Sequence, residues 1–151
     1  MRSRDDDSVQ EVVDSEGHRL ALVVRQSFVP LGVQFLSNAR DNQQIAYMAR
    51  PKGEYITAHS HLPFVREVTG TSEVLVMRKG TMRLDLFSPS RKYVGSLHLH
   101  AGDVVVLMLG GHGFELLEDV DFIEVKQGPY VDGKDKEKFV PDTFDVAYLD
   151  T

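Results

Sequence analysis

Glu73-Val74-Leu75-Val76-Met77-Arg78-Lys79-Gly80-Thr81-Met82-Arg83-Leu84-Asp85-Leu86-Phe87 is the stretch on which the reading of this chain turns. An apolar run headed by one acid ends at a glycine, and the chain returns with polar and apolar residues alternating. A period of two marks a strand, and glycine permits the tight turn between two such strands. The run from Val74 to Met77 is apolar at every position, so burial is expected on both of its faces. A carboxylate entering such a strand needs a cation or hydrogen bonds to offset its desolvation. Glu73 is therefore the first candidate for chemistry.

The same grammar extends outward. Gly102-Asp103 opens another apolar run at residues 104–109, which closes at Gly110-Gly111-His112-Gly113-Phe114. Further strands are expected at residues 9–13, 19–24, 43–50, 55–61, 93–100, 114–117 and 122–125, besides 73–78 and 82–87. Residues 29–36 are apolar but broken by Pro30 and Gly32, which suits an edge strand or a loop. Short strands at roughly ten-residue spacing, with turn-forming residues between them, favour a sandwich or barrel over an α/β fold. No segment sustains a 3.6-residue period, and one short helix is expected near residues 135–139. The expected organisation is a mobile charged tail over residues 1–8, then one all-β domain over residues 9–151. From about residue 132 the chain becomes a polar extension, anchored by Phe139, Phe144 and Tyr148 onto the barrel or onto a second subunit.

Upstream of Glu73 lies Gly53-Glu54-Tyr55-Ile56-Thr57-Ala58-His59-Ser60-His61. On a strand, residues i and i+2 share a face, so His59 and His61 are expected side by side, roughly 7 Å apart at the usual rise per residue. Neutral imidazole is the commonest side-chain ligand for transition metals. A second such pair, His98 and His100, alternates with Leu97 and Leu99. The leucines are the cheaper pair to bury, so these histidines are expected to face outward. His18 sits in a turn and is expected at the surface.

The order G-x5-H-x-H, then E-x6-G, then a glycine-flanked apolar run with a nearby histidine resembles the two motifs of the cupin superfamily. The match spans roughly residues 53–114, and the strand pattern extends it to about Gly128. The resemblance implies a small jelly-roll β-barrel, a double-stranded β-helix, in which three histidines and one glutamate bind a divalent metal. Carried onto this chain, the ligands are His59, His61, Glu73 and His112, and the metal is Fe, Mn, Ni, Zn or Cu. It implies a homodimer as well. Three departures accompany it. Residues 62–72 separate the second histidine from the glutamate, and they contain a rival acid, Glu67. Met108 stands at the family's proline. The third histidine comes one place early, since counting from Gly102 and Gly110 leads to Gly113. A one-residue shift flips a side chain to the other face of a strand, unless the Gly110-Gly111 pair alters the turn or forms a bulge.

Other candidates come from the residues themselves. Arg66 in the insert is either an anion clamp with its planar fork or a solvated loop arginine. Glu124, Lys126 and Tyr130 end the last strand of the pattern, where polar residues reach the mouth of a barrel. For Lys126, an ion pair with a glutamate on the outer surface is the competing reading. No Ser–His–Asp set, phosphate loop or Cys–His pair is present. A site of this type binds or transforms a polar small molecule, with a carbohydrate or nucleotide-sugar as one class. Fold alone does not choose among isomerisation, decarboxylation, metal-dependent dioxygenation and simple binding.

Size and composition bound these readings. A chain of 151 residues is one ordinary domain. With no cysteine, disulfides and thiolate metal sites are excluded. A net charge of −6 and the lack of any Lys/Arg cluster argue against nucleic acid. No run of apolar residues is long enough for a transmembrane helix. The charged start, Met1-Arg2-Ser3-Arg4-Asp5-Asp6-Asp7, has no hydrophobic stretch behind it, so a cytoplasmic setting is expected.

Overall fold

The computed structural model describes residues 8–149. The expected tail over residues 1–8 therefore lies outside the described residues, except for Ser8. That residue is buried, and its carbonyl accepts a hydrogen bond from Arg25 N at 2.8 Å. Two compact units are present. One joins the chain up to Phe28 to the chain from Thr71 onward, and the other is Val29–Gly70.

The larger unit is built from eight antiparallel strands. They are β1 (Val9–Val13), β2 (Arg19–Val24), β5 (Glu73–Lys79), β6 (Thr81–Phe87), β7 (Tyr93–His100), β8 (Val104–Leu107), β9 (Gly111–Leu116) and β10 (Asp121–Lys126). The smaller unit holds a two-stranded sheet of β3 (Val33–Phe35) and β4 (Ala46–Met48). In the larger unit one sheet runs β1-β2-β8-β5-β10 and the other β7-β6-β9. The fold is all-β, and its sheets do not close into a barrel.

Alternation decides which residues face the core. Met82, Leu84 and Leu86 of β6 and Leu97 and Leu99 of β7 point inward, against Ala21, Val23, Leu75, Met77, Val105 and Leu107 of the five-stranded sheet. Leu97 has no exposed surface, and its loss to alanine is expected to cost about 2–5 kcal/mol. Urea unfolding with an unchanged slope would show it.

The outer face of the five-stranded sheet is aliphatic as well. Leu22, Val106, Val74 and Val125 lie across from one another, and so do Val24, Val104, Val76 and Ile123. This is why the run from Val74 to Met77 carries no polar residue on either side. Leu75 and Met77 are buried, while Val74 and Val76 are half-buried.

Gly80 turns β5 into β6 with φ +76, and an added Cβ would collide with the Asp119 carbonyl. The Asp103 carboxylate ties the chain after β2 to the end of β7. It accepts from Arg25 Nη1 at 3.0 Å, Gln26 N at 2.9 Å and His100 N at 3.1 Å.

Two expectations fail. Residues 135–139 form no helix, and the turn of this region lies just before them at residues 132–134. Lys134 N and Asp135 N both donate to the Val131 carbonyl, and Asp135 Oδ2 accepts from Val131 N. Phe139 is meanwhile committed to an edge-to-face contact with Phe87 at 5.4 Å. Residues 55–61 form no strand either. No neighbouring segment gives them a ladder, and Tyr55 and Ile56 are exposed, so no buried face sets a register.

The C-terminal anchors are in place on the three-stranded sheet. Phe144 stacks on Tyr93 at 4.1 Å and Tyr148 on His98 at 4.3 Å. Ser96 N donates to the Ala147 carbonyl and Leu149 N to the Ser96 carbonyl, both at 2.8 Å. His98 and His100 lie on the outward side, opposite the fully buried Leu97 and Leu99.

Candidate functional site

β9 and β10 are edge strands of the two facing sheets, and the polar cluster of the larger unit lies between them. Glu73 opens β5 on the same face as Leu75 and Met77. Lys126, Glu124 and Phe122 of β10 sit directly across from those three residues. From the other sheet, His112, Phe114 and Leu116 pair with Leu86, Leu84 and Met82, so they share that sheet's inward face. The register of β9 is regular from Gly111 to Leu116. His112 is therefore turned inward by the change of turn at Gly110, whose φ is +82, and not by a bulge. An added Cβ on Gly110 would strike the Phe87 carbonyl, which makes glycine necessary there.

The two inward faces bring Glu73 and His112 together. His112 Nε2 lies 3.2 Å from Glu73 Oε2, with the side chains 30% and 18% exposed. The other carboxylate oxygen, Oε1, faces Lys126 Nζ at 3.7 Å. Lys126 Nζ also pairs with Glu124 Oε1 at 3.0 Å and lies 5.5 Å from the centre of the Tyr130 ring. Phe114 and Phe122 form the apolar wall beside this group, with ring centres 6.4 Å apart, and each remains partly open to solvent. Leu116 is more exposed still.

Electrostatics set the protonation states. Burial pushes the His112 imidazolium pKa down, against the pull of the Glu73 and Glu124 carboxylates. The imidazole is therefore neutral at neutral pH, the form that ligates metals. The hydrogen bond to Glu124 holds the Lys126 ammonium above its ordinary value. Two carboxylates then face one ammonium, so the cluster carries one excess negative charge and favours a cation.

Five of the residues singled out from sequence thus meet in one place: Glu73, His112, Glu124, Lys126 and Tyr130. For Lys126 both readings hold together, since it pairs with glutamates and does so within the cluster. The remaining three candidates belong to the smaller unit. His59 and His61 have ring centres 5.5 Å apart at an interplanar angle of 77°, and His59 Nδ1 lies 2.9 Å from the Thr57 carbonyl. Such a contact fixes Nδ1 as the protonated nitrogen and leaves Nε2 with its lone pair. The Arg66 guanidinium rests over the Phe64 ring at 4.7 Å. Among the described residues, no group of three or more His, Asp or Glu side chains stands together as a metal-holding set. The aromatic pair Phe114 and Phe122 was not singled out from sequence. Its signal was there, because each stands two residues or four from His112 or Lys126 on a strand, and so on the same face.

Comparison with protein-family models, with curated proteins and with solved structures returns no match. No helix among the described residues is long and apolar enough to cross a membrane.

Proposed function

We propose that this chain is a metal-binding protein of the cupin jelly-roll type, taking a polar small molecule at the cluster between β9 and β10. The observation that carries the reading is the meeting of Glu73 Oε2 and His112 Nε2 at 3.2 Å. Ligand atoms about 2.0–2.2 Å from a divalent metal, at tetrahedral or octahedral angles, lie about 3.0–3.5 Å from each other. The spacing of the donor pair matches that of two ligands sharing a metal. A neutral imidazole and a carboxylate suit Fe, Mn, Ni, Zn or Cu. When bound, the metal supplies a Lewis acid that polarises an oxygen of the bound molecule.

The chain's own residues supply the rest. Glu73 neutralises the cation, and Tyr130, Phe114 and Phe122 offer flat surfaces to a ring. Lys126 orients an anionic group. Sugars and nucleotide-sugars combine such features. The excess negative charge of the cluster makes an anionic ligand dependent on the metal. The half-open aliphatic face bearing Ile123 and Val125, at 47% and 51% exposure, supports a homodimer. The acidic charge balance supports a cytoplasmic protein with no nucleic-acid partner.

A second reading is favoured by the contacts already made to Glu73. Both of its oxygens have partners in His112 and Lys126, so the site can serve as a binding module without metal. Thermal melts with a panel of sugars and nucleotide-sugars separate the two. A ligand at a hundred times its Kd stabilises by about 2.7 kcal/mol. The metal-loaded protein is expected to respond and the stripped protein not. An equal response from both selects the binding module, and a flat response across the panel contradicts the proposed ligand class.

A further inference from the structure

We infer that two copies of this chain join edge to edge through β10, in an antiparallel pairing that sets Glu124 opposite Glu124 of the second copy. The inference rests on the homodimer proposed above and names its contact. β10 ends its sheet, and among the described residues no segment takes up its free edge. The opposite side of the larger unit is closed by the chain itself. Leu149 N donates to the Ser96 carbonyl of β7, and the Leu149 carbonyl accepts from Gln10 Nε2 of β1, both at 2.8 Å. An open strand edge is a template for another strand. β9 also ends its sheet, but Gly111 and Gly113 interrupt it, and glycine weakens a strand. β10 instead carries Phe122, Ile123 and Val125, residue types that favour pairing.

A two-fold axis normal to the sheet reverses the strand and keeps each face on its own side. Opposed residues then share a face, so one residue must stand opposite itself. Two such registers keep five of the six residues of β10 paired in each copy, with either Ile123 or Glu124 on the axis. With Ile123 there, Asp121 would face Val125 and put a carboxylate into the aliphatic row. With Glu124 there, Ile123 and Val125 face Val125 and Ile123 of the second copy. The row of Val24, Val104, Val76 and Ile123 then runs on into Val125 and Val74 of the second copy. On the inner face each Lys126 holds its own Glu124 at 3.0 Å and stands diagonal to Glu124 of the second copy, within reach of a long side chain. The two carboxylates at the axis are thus flanked by two ammoniums, and their charges balance. Lys126 also comes opposite Phe122 of the second copy, so the two polar clusters meet at the axis and each gains a ring from the other.

Light scattering compares the full chain with an Ile123→Lys/Val125→Lys variant, which sets like charges opposite one another across the axis. Both side chains are about half exposed, so a single copy has room for the lysines. The expected result is a dimer for the parent and a dimer at least tenfold weaker for the variant, with the same far-ultraviolet circular dichroism. A second pair of variants reads the register without disturbing the aliphatic row in the first of them. The chain has no cysteine, so Glu124→Cys and Ile123→Cys are oxidised with diamide side by side. Directly opposed Cβ atoms lie about 4.5–5.5 Å apart and diagonal positions about 7–8 Å, and only the former are near disulfide range. Glu124→Cys is expected to give a linked dimer and Ile123→Cys to stay unlinked. A parent that runs as a monomer removes the homodimer and this contact together. A parent dimer that the two lysines leave intact overturns the contact and leaves the homodimer to another face. So does a Glu124→Cys chain that stays unlinked or links no better than Ile123→Cys.

Discussion

Replacing Asp103 by alanine is expected to lower the unfolding free energy by about 3–5 kcal/mol, the cost of breaking a buried ion pair from one side. Asp103 is 3% exposed, and its carboxylate serves three donors from two segments. Arg25 and Gln26 follow β2, and His100 ends β7. Its own backbone carbonyl accepts from Met77 N at 2.9 Å, so the corner also holds the end of β5. Truncation leaves buried N–H groups without an acceptor, and each such group costs about 1–3 kcal/mol. Asp103→Asn keeps one oxygen at the position that Gln26 N uses, and it should lose less. Denaturant midpoints for the two variants would establish the order. A loss below about 1 kcal/mol for alanine would contradict the role of Asp103 as the tie between the two sheets.

Glu73→Gln is expected to lower zinc affinity by at least about a hundredfold, beyond the 10–100-fold typical of losing an outer-shell partner. The substitution keeps the shape and the contact with His112 but removes the only charge of the Glu73–His112 donor pair. The fold should barely notice. The side chain is partly open, and its ion pair with Lys126 is long at 3.7 Å, a class of contact worth about 0–1 kcal/mol. Zinc titration beside a thermal melt measures both effects. Unchanged zinc affinity would remove Glu73 from the site, and a collapse of the melt would recast it as structural.

Much of the larger unit is legible in the sequence, and the reason is the period of two. β1, β2 and β7 occupy the stretches that alternation predicts, and the chain turns from β5 to β6 where Gly80 places it, although the two strands pair in different sheets. Leu97 and Leu99 against His98 and His100 show why. One face must be buried, and side-chain chemistry leaves a single choice. Glu73 is legible for a related reason, as an acid opening a strand that is apolar on both sides.

His112 is the instructive case. Counting from the glycines places the family's position at Gly113, yet His112 faces inward because Gly110 adopts a positive φ and resets which residue begins the inner face. That depends on one backbone angle, which no residue pattern encodes. The short helix near residue 135 fails for a different reason. Local propensity lost to an aromatic contact made far away in sequence, between Phe139 and Phe87. The segment around His59 and His61 has alternation too weak to fix a strand, because its apolar residues find no sheet to cover them.

Elemental analysis by plasma mass spectrometry on the untagged protein tests the central claim most directly. It is made beside a Glu73→Gln/His112→Ala variant and a His98→Ala/His100→Ala control. The account predicts near-stoichiometric metal in the parent and the control, and its loss from the Glu73/His112 variant. A parent that is metal-free and takes up no Fe, Mn, Ni, Zn or Cu on reconstitution would contradict it, and so would a Glu73/His112 variant that keeps its metal.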